Sequence, residues 1–307
     1  MTGIIRRMSA NADAGRRPSS GSDEEFPSEL PEALGSAFDE YVPESVLGSS
    51  FTPTPPGAEA PQRRWWGRHL SEFRWQAELA MLPFDPVFYG IGVPHGNGQP
   101  VLLIPGFLAA DASLSVMGGW LFRLGYRPRR SGILLANVDC SDRAVDRLEH
   151  RLENVVQKTG RKAALVGHSR GGHFAKALSS RRPDLVDKVV SMGSGLDTPF
   201  DISVPTKAAV SGVRTILHAA SSKAREKGCL TATCDCPFTR DYCAPFPTDQ
   251  VALTSIYSWG DGVVWPPACI VDYARNVRVP GSHVGLAFNR HAYKVIARAL
   301  APKADKL

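Results

Sequence analysis

The stretch Ala163-Ala164-Leu165-Val166-Gly167-His168-Ser169-Arg170-Gly171-Gly172 decides how the rest of the chain is read. Four apolar residues form a short strand that runs straight into a Gly-x-Ser-x-Gly pentapeptide. A helical pattern follows, over about residues 170–181. A strand that turns into a helix at this pentapeptide holds its central residue in a strained backbone region. Glycines on either side are required because side chains there would collide. The helix start aims its unpaired N–H groups and positive dipole end at the Ser169 oxygen. A serine presented in this way is placed to act as a nucleophile, and negative charge developing beside it is stabilised. The pentapeptide alone is common; strand, turn and helix together are specific.

The 307 residues, 43% of them hydrophobic at a mean hydropathy of −0.15, suit one large globular domain with additions. No run of about 18 apolar residues occurs, so no transmembrane helix is expected. The start, Met1-Thr2-Gly3-Ile4-Ile5-Arg6-Arg7, lacks the apolar core of a secretory signal, which makes a cytoplasmic location the expectation. Charge is divided unevenly. Residues 1–60 hold 4 basic and 10 acidic side chains, whereas the remainder holds 32 and 20. No Lys/Arg run with interleaved aromatics occurs in that basic remainder, so nucleic acid is not an expected partner.

Residues 1–60 are rich in Pro, Ser and Gly and poor in apolar residues, and they are expected to be disordered apart from a short helix near 29–41. Residues 61–307 read as one domain. Trp66, Leu70, Phe73, Ala77 and Met81 share a helical face, which either packs on the domain body or touches lipid as a peripheral membrane contact. Strands are predicted at 101–104, 132–138, 163–166, 189–192, 256–259 and 277–279. Between them lie helices at 113–124, from a Ser141 cap through Val145, Leu148, Leu152 and Val155 to Gly160, and at 292–300. Alternation of this kind implies an α/β fold: a mostly parallel sheet with helices on both faces and its chemistry at the C-terminal strand ends.

A nucleophilic serine needs a base, and the base needs an orienting acid. Of the eight histidines, His168 and His173 flank the serine at positions that point elsewhere. His150 lies on a polar helix face, His69 and His95 precede the sheet, His218 lies in an irregular insert, and His291 begins the last helix. His283, in Gly281-Ser282-His283-Val284-Gly285, follows the final strand and is the predicted base. Asp261, in Trp259-Gly260-Asp261-Gly262, follows the penultimate strand and is the predicted acid, with Asp272 as its rival. The oxyanion donors are predicted to be the backbone N–H groups of Arg170 and of Phe107, the latter in Pro105-Gly106-Phe107 after the first strand. The Phe107 ring either lines an acyl pocket or packs in the core. The Arg170 side chain either meets an anionic substrate group or forms a structural ion pair.

With Ile104-Pro105-Gly106-Phe107, Gly167-His168-Ser169-Arg170-Gly171-Gly172, Asp261-Gly262-Val263-Val264 and Ser282-His283-Val284-Gly285-Leu286 in this order, the chain resembles the α/β-hydrolases over about residues 90–300. Within them it resembles bacterial lipase/esterase-type members, including actinobacterial ones. Pro105-Gly106 stands where lipases of this type often carry His-Gly. The resemblance implies hydrolysis of a small-molecule or lipid ester through Ser169, His283 and Asp261, without a cofactor. Acyl transfer on the same residues is one alternative; a catalytically silent fold whose insert binds zinc or a partner protein is another.

Residues 197–250 occupy the place where this family carries a cap over the site. They contain Cys229, Cys234, Cys236 and Cys243. The spacing matches no common zinc knuckle, and three readings stay open: two disulfides stapling the cap, free thiols, or a four-thiolate zinc site. Disulfides would point to export. Cys140 and Cys269 read as isolated, small buried residues.

Overall fold

The computed structural model describes residues 72–199, 201–220 and 236–302. The expected disorder of 1–60 and the helix near 29–41 therefore lie outside the described residues, as do Trp66 and Leu70. Six strands form one wholly parallel sheet: β1 (Pro100–Ile104), β2 (Arg127–Arg130), β3 (Ala163–His168), β4 (Val186–Met192), β5 (Ala252–Tyr257) and β6 (Arg275–Arg278), in the order β2-β1-β3-β4-β5-β6. Residues 100–104 of β1 and 163–166 of β3 are apolar and buried because both faces of the sheet are covered there. Val101 and Leu103 of β1 enter one core with Ala164 and Val166 of β3; Leu102 and Ile104 enter the other with Ala163 and Leu165.

Helix α1 (Trp75–Met81) precedes the sheet. Helix α2 (Ser115–Arg123) joins β1 to β2 and packs through Met117, Trp120 and Leu121 into the first core. Helix α3 (Ser141–Thr159) joins β2 to β3 and packs through Val145, Leu148, Leu152 and Val155 into the second. The chain thus crosses from one face of the sheet to the other between β1 and β3. A crevice opens at such a reversal, outside the carboxyl ends of those two strands. Helix α4 (Arg170–Arg181) lies on the α3 face. Beyond β4 the insert contributes α5 (Val204–Ala220) and α6 (Pro237–Cys243), and the final helix α7 (Arg290–Leu300) returns to the α2 face, where the Tyr293 and Trp120 rings lie 4.4 Å apart.

Two expectations need correction. No strand forms over 132–138. The second strand is Arg127-Pro128-Arg129-Arg130, a polar edge strand with none of its four residues buried, and only one isolated bridge, Phe107 to Asn137, lies in the predicted range. An edge strand exposed to water has no reason to be apolar, so its sequence carries no strand signal, while Leu134 and Leu135 imitate one and are exposed. Of the two readings of the apolar face ahead of the sheet, packing on the domain body does not hold within the described residues: Phe73 is 69% exposed, Met81 is 53% exposed, and α1 buries none of its residues. Smaller differences concern caps. Cys140 rather than Ser141 occupies the start of α3, whereas Gly160 ends it in the left-handed conformation at φ 64°.

Candidate active site

Strand β3 delivers Ser169 to the crevice with φ 53° and ψ −123°, a backbone conformation that costs free energy for any residue but glycine. The surroundings hold it there. The Ser169 N–H donates to the Met192 carbonyl at 2.8 Å, and the Ser169 carbonyl accepts from the Gly172 N–H at 2.9 Å and the Ser194 hydroxyl at 2.7 Å. Close packing makes Gly171 obligatory, since a Cβ there would lie 2.1 Å from the Ile104 carbonyl oxygen. Gly106 is equally confined: its Cβ position is 3.0 Å from the Ser169 Cβ, so the loop after β1 rests directly against the serine. That contact brings the Pro105-Gly106-Phe107 turn next to Ser169, with the Phe107 side chain half-exposed. The next residue, Leu108, also has a positive φ, 59°.

The two other predicted residues come together. The His283 Nδ1–H donates to Asp261 Oδ2 at 2.7 Å, and the residues are 4% and 1% exposed. Asp261 Oδ1 accepts from the Val263 and Val264 N–H groups, each at 2.8 Å, which fixes the carboxylate. Burial works against charge on His283, but the Asp261 carboxylate and its hydrogen bond outweigh it and hold the imidazole above its ordinary value. The rival Asp272 is exposed in the turn ahead of β6. No hydrogen bond among the described residues joins Ser169 Oγ to the His283 ring; the link between their loops runs through His168. The His168 Nε2–H donates to the His283 carbonyl at 2.9 Å, and the two rings lie 5.0 Å apart. Burial, assisted by the neighbouring His283, pushes His168 down to about 4, so it stays neutral as a structural donor.

The Arg170 side chain settles on neither expected role. It is buried over the Phe174 ring, and its guanidinium donates to the Asn137 carbonyl and side chain, the Asp139 carbonyl and the Ser141 hydroxyl. Burial lowers it to about 10. Asn137 in turn donates from Nδ2 to the Pro105 carbonyl at 2.8 Å. The residue after the serine therefore braces the loop that supports the predicted oxyanion turn, a role that sequence offers no way to read.

The insert is tied to the acid loop, with Ser203 N–H donating to the Val263 carbonyl and an antiparallel bridge from Ile202 to Val264. Its α6 packs on α4, where the Phe238 and Phe174 rings lie 5.7 Å apart and the Tyr242 and His173 rings 5.6 Å apart. The cysteine expectations change. Cys140 is disulfide-bonded rather than an isolated buried thiol, whereas Cys236, Cys243 and Cys269 are free, which removes two cap disulfides drawn from the four insert cysteines. Cys229 and Cys234 lie outside the described residues. Among the described residues no helix is long and apolar enough to cross a membrane.

Sequence reasoning missed one group that touches this site. Glu72, in the turn ahead of α1, accepts backbone hydrogen bonds from both the acid loop and the histidine loop. It lay off the apolar stripe that drew attention to its segment, and nothing local marks it.

Residues 99–214 match the family profile described as alpha/beta hydrolase fold. Among solved structures, the mature form of the Bacillus licheniformis lipase BlEst2 is 16% identical, with a TM-score of 0.51, over 69% of this chain and 96% of that one. The propeptide form of the same lipase is 17% identical at a TM-score of 0.51, over 70% of this chain and 52% of that one, so this chain spans about half of that longer form. Likeness at these identities establishes the fold alone. No curated protein sequence matches the chain.

Proposed function

We propose that this chain, which has the α/β-hydrolase fold, is a carboxylic ester hydrolase of the lipase/esterase type. The observation that carries the reading is the buried 2.7 Å hydrogen bond from His283 to Asp261 beside the strained Ser169. With Nδ1–H committed to Asp261, the free lone pair of His283 is on Nε2, the atom that takes the Ser169 proton as Oγ attacks the ester carbonyl. The Phe107 and Arg170 N–H groups bind the oxyanion of the tetrahedral intermediate. The imidazolium then protonates the leaving alcohol, and water, deprotonated by His283, cleaves the acyl-enzyme to release the acid. Substrates are small-molecule or lipid esters. The disulfide at Cys140 favours an oxidising compartment over the cytoplasm expected from the N-terminal residues.

A fluorophosphonate probe tests the nucleophile. It labels the wild-type chain and not Ser169→Ala; labelling that survives the substitution refutes the assignment.

A further inference from the structure

Glu72 reaches the two loops that carry the proposed base and acid. Its Oε1 accepts from the Gly262 N–H at 2.8 Å and the His283 N–H at 3.0 Å, and its Oε2 accepts from the Val284 N–H at 3.0 Å. One carboxylate therefore fastens the residue after Asp261 to His283 and to the residue after it. From the same segment, Glu78 Oε1 accepts from the Ser282 N–H at 2.9 Å. With no buried side chain in α1 and one ring contact, Trp75 to Phe288 at 6.1 Å, this segment grips the histidine loop mainly through charge-assisted hydrogen bonds. A carboxylate that accepts three backbone N–H groups is oriented far more tightly than one in a surface ion pair.

We infer that Glu72 is a positioning residue for the His283–Asp261 pair: it locks the two loops in register and places a second negative charge next to the imidazole. The inference rests on the ester-hydrolase reading for its consequence in turnover, but its geometric part stands without it. His283 is faced by Asp261 from the loop after β5, His168 from the end of β3, His173 from α4, and Glu72 and Glu78 from the α1 segment, the last through Ser282. Among these, Asp261 and Glu72 are the carboxylates that favour the imidazolium, the form His283 takes while Ser169 is deprotonated.

The test uses the full chain with p-nitrophenyl butyrate as probe substrate. Glu72→Gln keeps the size and removes the charge and one acceptor. Its kcat should fall about 10- to 100-fold with KM little changed, the range seen when groups that orient an active side chain are removed. The acid limb of the kcat/KM profile should move to lower pH, and the His283 ring titration followed by NMR should move with it. Glu72→Asp, which restores the charge, should return the limb toward its wild-type position, while Gln76→Ala, exposed on the same segment, should match wild type. Wild-type kcat with an unmoved titration in Glu72→Gln overturns the inference. So does a lowered kcat with an unmoved titration, which would make the contact merely structural. If the wild-type chain neither turns over the ester nor reacts with a fluorophosphonate while the titration still shifts in Glu72→Gln, the hydrolase reading fails and the positioning role stands.

Discussion

Replacing Asp261 with asparagine isolates the term on which the proposed chemistry depends. In the wild-type chain one carboxylate serves three donors: Oδ1 accepts from the N–H groups of Val263 and Val264, and Oδ2 from His283 Nδ1–H. An asparagine has one acceptor oxygen. If that oxygen keeps the two backbone donors, its NH2 group faces His283 and forces Nδ1 to become the acceptor. The ring proton then sits on Nε2, which can no longer receive a proton from Ser169. That tautomer error costs about 10⁴-fold in kcat, or about 5.5 kcal/mol of barrier. If the amide flips instead, two backbone N–H groups lose their acceptor, at about 1–3 kcal/mol each. The pH dependence adds an independent readout. The active base is neutral, so turnover rises with pH through the His283 value, which the Asp261 carboxylate holds above the ordinary one despite burial. Removing that carboxylate leaves burial as the larger influence, so the acid limb moves to lower pH. The same shift acts on stability. A raised folded-state value stabilises the native chain fully below the unfolded value of about 6.5, and that contribution is lost as pH rises through the raised value. Tm plotted against pH should therefore be flatter in this window for Asp261→Asn. Steady-state hydrolysis, with fluorophosphonate inactivation rates across pH, measures the kinetic part. A loss below about tenfold, or an acid limb that stays in place, would refute the reasoning.

Three further outcomes follow from the packing around the serine. Gly171→Ala should destabilise the fold by about 3 kcal/mol or more in chemical denaturation, because its Cβ would meet the backbone oxygen of Ile104 at 2.1 Å, where no flexible side chain can yield. Arg170→Ala should lower stability by about 2–4 kcal/mol, since it leaves the carbonyls of Asn137 and Asp139 without a donor. It should also reduce kcat by loosening the loop that Asn137 ties to Pro105; a variant with unchanged melting and turnover would contradict the bracing role. Alkylation of the denatured, unreduced chain, read by mass spectrometry, should modify fewer than the six cysteines, and all six after reduction; full modification without reduction would contradict the Cys140 disulfide.

Much of this molecule was legible before folding was considered. The strand–serine–helix turn depends on residues adjacent in sequence, and the glycines it needs are written beside Ser169. Strands β1 and β3 declare themselves because burial on both faces demands apolar runs, and helix α3 because one face must be apolar every three to four residues. The order of the motifs, with Asp261 and His283 after successive strands, was enough to name the pair that the fold joins by a 2.7 Å hydrogen bond.

What stayed hidden depends on contacts between residues far apart in the chain. The polar strand Arg127–Arg130 exists because β1 offers it an edge to pair with, not because its own residues favour a strand. Arg170, whose side chain the sequence left between a substrate contact and an ion pair, is drawn into a bracing role by carbonyls some thirty positions away. Glu72 meets Gly262 and His283 only because the α1 segment is brought against the loops after β5 and β6, at separations of 190 and 211 positions. Local pattern encodes which face of an element is buried. It does not encode which distant backbone N–H a carboxylate will find, because that partner is chosen by the assembled fold.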